Sequence, residues 1–279
     1  MKNFTLEILL HIIGVGSASG LIYNNDNLML IGDSSGYLYE YNIGDKNLQK
    51  HALMENPSEN IAKKQKIDFE SMVSYDNDVY IGGSGSGELR NEMVKINTIS
   101  NDTVATSDLT PLYTSMADFA KIKTKQFNIE GAIYNGEDWF LFNRGNGKDN
   151  RNVVFTVTGK DLVNEYQILS NNFKLPKING FQTGFSDAVL VENKIYFLAT
   201  AENSKSTTED GRILGTLIGR IDLETMKIDF TKKISDTQKF EGLSLYSKDG
   251  KNINFVLCED NDTTTLESNI YKLSLDLKR

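Results

Sequence analysis

Glu70-Ser71-Met72-Val73-Ser74-Tyr75-Asp76-Asn77-Asp78-Val79-Tyr80-Ile81-Gly82-Gly83 reads as a hairpin, because the turn formers Asp76-Asn77-Asp78 separate two runs of strand-forming side chains. Its opening triplet recurs four more times, as Ser19-Gly20-Leu21, Glu130-Gly131-Ala132, Ser186-Asp187-Ala188 and Glu241-Gly242-Leu243. Each copy begins with Ser or Glu, continues with a small or short polar residue and ends apolar. A second run follows each time: Leu28-Met29-Leu30-Ile31-Gly32, Trp139-Phe140-Leu141-Phe142, Ile195-Tyr196-Phe197-Leu198-Ala199 and Ile253-Asn254-Phe255-Val256-Leu257 match Val79 to Gly83. A third run alternates polar and apolar residues, as half-buried strands do: Tyr37 to Tyr41, Met93 to Ile96, Val153 to Val157, Leu217 to Ile221 and Ile270 to Leu273. A weaker fourth strand completes each unit, and no long amphipathic helix competes.

Four-stranded units repeated radially make a β-propeller. The five triplets are spaced by 51, 60, 56 and 55 positions, a mean of about 55 and somewhat longer than familiar blade repeats. The last unit holds 39 residues and 18 precede Ser19; together these remnants amount to one period. The run from Thr5 to Ile12 is therefore expected to close the last blade as its outer strand, leaving no long open sheet edge. The expectation is an all-β fold: one five-bladed propeller of four-stranded antiparallel blades, spanning residues 1–279 as a single domain.

Composition narrows the function classes. The 38 acidic against 30 basic residues give a net charge of −8, which argues against a phosphate-backbone partner such as nucleic acid. Cys258 is the lone cysteine and cannot form an internal disulfide; with His11 and His51 it cannot assemble a four-ligand zinc site, so any metal is expected to be held by oxygen. The run Met1 to Ile13 is interrupted by Glu7 and His11 and has no small-residue cleavage site after it, so neither a secretion signal nor a membrane span is expected. The expectation is a cytoplasmic monomer.

A propeller points the start of each first strand toward its central channel, so the five leading residues should converge: Ser19, Glu70, Glu130, Ser186 and Glu241. Three carboxylates brought close raise one another's pKa unless a cation or shared protons neutralise them. Calcium, which accepts six to eight oxygen ligands in flexible geometry, is the first choice and magnesium the second. The competing reading is that each leading residue only hydrogen-bonds neighbouring backbone at the channel mouth.

The chain resembles the calcium-activated nucleotidase (apyrase) family. The likeness rests on Gly16-Ser17-Ala18-Ser19-Gly20-Leu21 followed by Gly32-Asp33-Ser34-Ser35-Gly36, on Asp68-Phe69-Glu70, on Ile129-Glu130-Gly131-Ala132 with Trp139 to Arg144, on Gly184-Phe185-Ser186 and on Phe240-Glu241-Gly242. It implies a five-bladed propeller with an axial calcium ion ligated by Ser19, Glu70, Glu130, Ser186 and Glu241. That family also grips a di- or triphosphate with basic residues from the second turn of its blades. Here the matching stretches, Asp33 to Gly36, Gly83 to Glu88 and Ala199 to Glu202, carry no cation, and Arg144 alone stands in the expected place. Stabilising charge on phosphoryl oxygens is the main catalytic task in phosphoryl transfer, so nucleotide hydrolysis is expected to be weakened.

Other residues admit two readings each. Asp33 is a general base or a turn-stabilising Asp. The glycine-rich run Gly82 to Gly87 brings backbone N–H groups to an anion, or is a hairpin loop. Arg144 and Arg151 flank a polar loop that clamps an acidic substrate or is solvated, and Glu202, Glu259, Asp260 and Asp262 acidify the mouth or lie in solvated loops. Trp139, Tyr37, Tyr39 and Tyr41 are assigned to blade cores or sheet faces, and His11 to a structural role.

The functional expectation is a calcium-binding propeller acting as a metal-dependent hydrolase of a phosphate ester or other small anionic substrate, with Asp33, Glu70 and Arg144 as catalytic candidates. The alternatives are a non-enzymatic propeller that binds a small molecule, sugar or protein around a structural calcium ion, and a hydrolase of sugars or lactones.

Overall fold

A computed structural model describes residues 3–100, 102–145, 149, 151–203 and 211–277. Five antiparallel sheets follow one another along the chain. Blade one is built from Gly20–Asn24, Asn27–Ile31, Tyr37–Asn42 and Leu48–Ala52, and blade two from Phe69–Tyr75, Asp78–Gly83, Glu92–Asn97 and Asp102–Asp108. Blade three uses Ile129–Tyr134, Asp138–Asn143, Asn152–Asp161 and Glu165–Phe173. Blade four uses Phe181–Val191, Lys194–Glu202, Ile213–Asp222 and Lys227–Ser235, with the two-residue strand Lys177–Ile178 added beside its first strand. Blade five uses Phe240–Asp249, Asn252–Glu259 and Glu267–Asp276, and its fourth strand is Phe4–Ile13 from the other end of the chain. Phe4 faces Leu275 and Ile13 faces Glu267, so the ring closes as the remnant lengths require.

Why the second run of each unit is continuously apolar is a matter of burial on both faces. Five apolar clusters fill the five gaps between neighbouring blades; the gap between blades one and two, for example, holds Ile31 and Leu38 against Phe69, Val79 and Ile81. A strand with a blade on either side has no polar face to show, so Asp138–Asn143 buries Trp139, Phe140, Leu141 and Phe142 in succession. The outer strand Glu165–Phe173 touches water and alternates instead. Trp139 stacks on Tyr134 at 4.5 Å between blades two and three, the core role its sequence suggested.

Among the described residues one α-helix, followed by the short 3-10 turn Thr124–Gln126, departs from the all-strand expectation. Thr110–Ala120 carries Pro111 in its first turn, where a missing N–H is harmless, and buries Leu112, Tyr113, Met116, Ala117 and Ala120. Its apolar face caps the core between blades two and three, and the Tyr113 hydroxyl donates to the Gly83 carbonyl at 2.8 Å. Among the described residues no helix is long and apolar enough to cross a membrane.

Candidate functional site

In blades two to five the pairing between first and second strands slips by one residue, and the slipped residue is in each case the leading one: Glu70, Glu130, Ser186 and Glu241. A bulge turns a side chain out of the alternation of its strand, and here it turns one per blade toward the axis. Ser19 takes the same position just before the first strand of blade one, its N–H bonded to the Ile31 carbonyl at 2.9 Å. All five residues are at most 9% exposed.

Their partners differ. The Ser19 hydroxyl donates to the Phe69 carbonyl at 2.6 Å and that of Ser186 to the Phe240 carbonyl at 2.8 Å, so both serines tie their blade to the next. Glu130 accepts from the Asn128 amide and from Arg144 Nη1 at 3.1 Å. The same Nη1 lies 3.3 Å from Glu241, and Arg144 Nη2 pairs with Glu202. Lys239 Nζ lies 2.6 Å from Asp260 and 3.0 Å from Glu241. By blades one and two, Lys66 pairs with Asp33 and, at 2.7 Å, with Asp68; Arg90 reaches Asp68 at 2.8 Å, and Ser84 and Ser86 donate to it as well. Among the pore carboxylates of the described residues only Glu70 keeps an oxygen, Oε2, that is buried and without a hydrogen-bond partner; Arg144 Nε is the unpartnered buried donor in the same pore.

Seven carboxylates, Asp33, Asp68, Glu70, Glu130, Glu202, Glu241 and Asp260, therefore meet four cations, Lys66, Arg90, Arg144 and Lys239. Charge decides their titration one by one. Burial opposes the charge of Asp68, but Lys66 and Arg90 outweigh it and hold the carboxyl below its usual range; Arg144 and Lys239 do the same for Glu202. Glu70 goes the other way. Burial, and then the nearby charges of Glu130, Asp68, Glu241 and Asp33, push it well above the ordinary carboxylate value. Burial also raises Glu130 and Glu241, against the pull of Arg144 and Lys239.

Three of the four cations escaped the sequence reading, which looked for them after the second strands. Lys239 and Asp68 each stand two residues before a leading glutamate, where Asn128 stands in blade three, and Lys66 stands two before Asp68. That position faces the residue after the second strand: Asp260 N–H bonds the Lys239 carbonyl, Arg144 N–H that of Asn128, and Ser84 N–H that of Asp68. A polar residue two places before four of the five triplets, with Gly184 as the exception in blade four, was the available signal. The glycine-rich loop of blade two is a hairpin loop whose serines hold Asp68, and Ser86 N–H is bonded to Ser84 Oγ.

Arg144 is 5% exposed and engaged with three carboxylates, whose charge it offsets in the pore. Arg151 donates to the Ala120 carbonyl and to Asn172; residues 146–148 and 150 of the loop between the two arginines lie outside the described residues. Asp33 opens onto a cleft of about 230 Å³ at the pore mouth, walled by Ser35, Tyr39, Glu59, Lys66 and Asp260. Tyr39 is thus more than a core residue: its ring is buried while its hydroxyl donates to Glu59 and meets Ser35 at 2.7 Å. Oxygens of Asp33, Asp68 and Glu70 lie within 4.8 Å of one another, close enough to share one ion. Glu259 is bonded by the Tyr271 hydroxyl, and His11 by Asn269 on the closing strand.

The family described as "Family of unknown function (DUF6929)" matches residues 14–275. No curated protein sequence matches the chain. Among solved structures, the Malassezia sympodialis allergen Mala s 1 superposes with a TM-score of 0.58 at 10% identity, over 94% of this chain and 95% of that one. The PQQ-bound aldose sugar dehydrogenase of Streptomyces coelicolor gives 0.54 at 10% identity over 98% of each chain. The glutaminyl cyclase of Myxococcus xanthus gives 0.50 at 10% identity over 97% of each. At such identities the likeness is one of fold.

Proposed function

The chain belongs to the DUF6929 family of unknown function, and on the chemistry of its pore we propose that it binds a divalent cation at the corner formed by Asp33, Asp68 and Glu70, with a small anionic molecule in the adjoining cleft. One observation carries the reading: a carboxylate oxygen, Glu70 Oε2, is buried without a partner beside two further carboxylates. Leaving such a group uncompensated is costly, and either a proton or a cation answers the cost. The donor set is all oxygen, which suits calcium first and magnesium second. The resemblance to calcium-activated nucleotidases supports that order of ions; the family match and the fold likeness extend to the propeller and not to a nucleotidase.

Of the five leading residues this reading uses Glu70 as ligand. Ser19 and Ser186 hold the blades, and Glu130 and Glu241 are met by Arg144 and Lys239. A cation bound there supplies charge that polarises a phosphoryl or acyl oxygen and orients water. Asp33 borders the cleft, where its carboxylate would take a proton from water, and the Ser34 hydroxyl donates to its Oδ1 at 2.8 Å and helps to hold it there. The cleft itself is lined by Asp33, Glu59, Asp260 and Asp262 against Lys63 and Lys66, so an anion enters only alongside a cation. Metal-assisted hydrolysis of a phosphate ester is the reaction class this supports.

A second reading has an observation of its own. Arg144 and the two serines spend their polar groups joining blades, which favours a non-enzymatic binding propeller in which the ion also serves the ring. Thermal unfolding with calcium, with magnesium and with chelator tests the cation: the expected result is a midpoint that rises with calcium and a Glu70→Gln variant that no longer responds. Indifference of the wild-type chain to calcium and to chelator overturns the proposal. Turnover of nucleotides, sugar phosphates or generic phosphate esters, lost in Glu70→Gln, separates the hydrolase from the binding protein.

A further inference from the structure

Lys66 sits where two sites meet. Its ammonium touches Asp33 Oδ2 and lies 2.7 Å from Asp68 Oδ1, inside the group of oxygens that closes on Glu70. Its side chain is 10% exposed, yet it borders both the cleft at the pore mouth and a shallow groove of about 630 Å³ lined by Lys63, Lys64, Ser86, Glu88 and Arg90. The chain turns back on itself just before it, with the N–H groups of Gln65 and Lys66 both bonded to the Ala62 carbonyl, and its long unbranched stem allows the head to reach either side.

We propose that Lys66 is a tethered cation that occupies the Asp33–Asp68–Glu70 corner in place of a divalent ion and, when such an ion displaces it, joins Lys63 and Lys64 in holding an oxyanion in the groove, while Arg90 stays on Asp68. This rests on the cation reading above and assigns the cation and the anion a shared residue. The physical reason is exclusion and charge. An ammonium and a divalent ion cannot share the same carboxylate oxygens, so each displaces the other. Once displaced, Lys66 adds positive charge to a wall where Lys63, Lys64 and the Asp68-paired Arg90 already outnumber Glu88, and repulsion opposes the move unless an anion is present. Cation and anion then strengthen each other's binding by the same factor, as linkage requires.

The experiment titrates calcium by calorimetry into the wild-type chain, Lys66→Met and Lys66→Gln, each in chloride and in sulfate at equal ionic strength. The expected result is that both variants bind calcium at least tenfold more tightly than wild type in chloride, and that sulfate tightens calcium binding in wild type but in neither variant. Lys66→Gln keeps a hydrogen-bond donor near Asp33 and stands in if Lys66→Met does not fold; the wild-type comparison of sulfate with chloride needs neither. Calcium binding that is equal or weaker in the variants overturns the role of Lys66 while leaving the cation site standing, and a wild-type affinity indifferent to sulfate overturns the coupling. Absence of calcium binding in all three chains overturns the cation reading itself.

Discussion

Arg144 of blade three reaches Glu241 of blade five at 3.3 Å, joining across the pore two blades that are not neighbours in the ring. The same guanidinium answers Glu130 and Glu202, so it is a hub for three buried carboxylates. Breaking a buried ion pair from one side costs about 3–5 kcal/mol, because the partner charge stays behind. Arg144→Met is expected to lose at least that much in urea unfolding, and Arg144→Met combined with Glu241→Gln to regain part of it. A loss below about 1 kcal/mol would show that the pore carboxylates are neutralised by protons instead.

Closure by the first strand carries the second prediction. Phe4–Ile13 covers Glu267–Asp276 along its length and buries Ile12, so deleting residues 1–13 exposes a long strand edge and opens the apolar gap between blades five and one. The shortened chain is expected to lose its cooperative thermal transition and to associate on size exclusion. A monomer with an unchanged midpoint overturns the claim that the strand locks the ring.

The architecture was legible because a propeller writes the same message five times: triplet, doubly buried run and alternating run recur, and each landed on a strand. The helix Thr110–Ala120 occurs once and sits in a connection longer than its counterparts, so no repeat announced it. At the pore the leading residues were legible for the same reason. What they bond to was not. Asp68 and Lys239 stand two residues before Glu70 and Glu241, and only the strand register shows that this position faces the residue after the second strand; Lys66 stands two further back, beside Asp68. A charge census of the chain, net −8, likewise hides that four cations are gathered where the acids are densest.

Two buried aspartates should show opposite responses to pH. Asp260 is held far below its usual range because Lys239, 2.6 Å away, outweighs the cost of burial. Its stabilisation is complete above the unfolded value near 4 and fades as the pH falls through the depressed native value. Asp187 is raised well above its usual range, chiefly by burial, although its Oδ2 accepts the Leu243 N–H at 2.6 Å. Below about pH 4 both states hold the proton; above it the unfolded chain releases first, and the native state loses ground until the pH passes the raised value. Urea unfolding from pH 3 to 8 should find Asp260→Asn least stable relative to wild type at neutral pH, and Asp187→Asn gaining on wild type as the pH rises. Parallel curves for the two variants contradict both assignments.

Glycine at the second place of three triplets, Gly20, Gly131 and Gly242, has a steric cause that a single methyl group can probe. A Cβ placed on Gly242 meets Cys258 Sγ at 2.4 Å within blade five, and Leu21 Cβ at 2.8 Å and Leu21 N at 3.0 Å in blade one. Gly131 is confined likewise, by Asp187 Cα at 3.0 Å and Ala188 N at 3.2 Å of blade four. These are the points where first strands of successive blades approach around the axis, and backbone there cannot give way as a flexible side chain can. Overpacking of this kind costs about 1–3 kcal/mol. Gly242→Ala is expected to fall in that range in urea unfolding, and Cys258→Ala in the same chain to relieve the clash with the sulfur but not the one with Leu21, recovering only part of the loss. Full recovery would mean that the inner strands of blades five and one slide apart freely, and that the spacing of the pore is set by the outer strands instead.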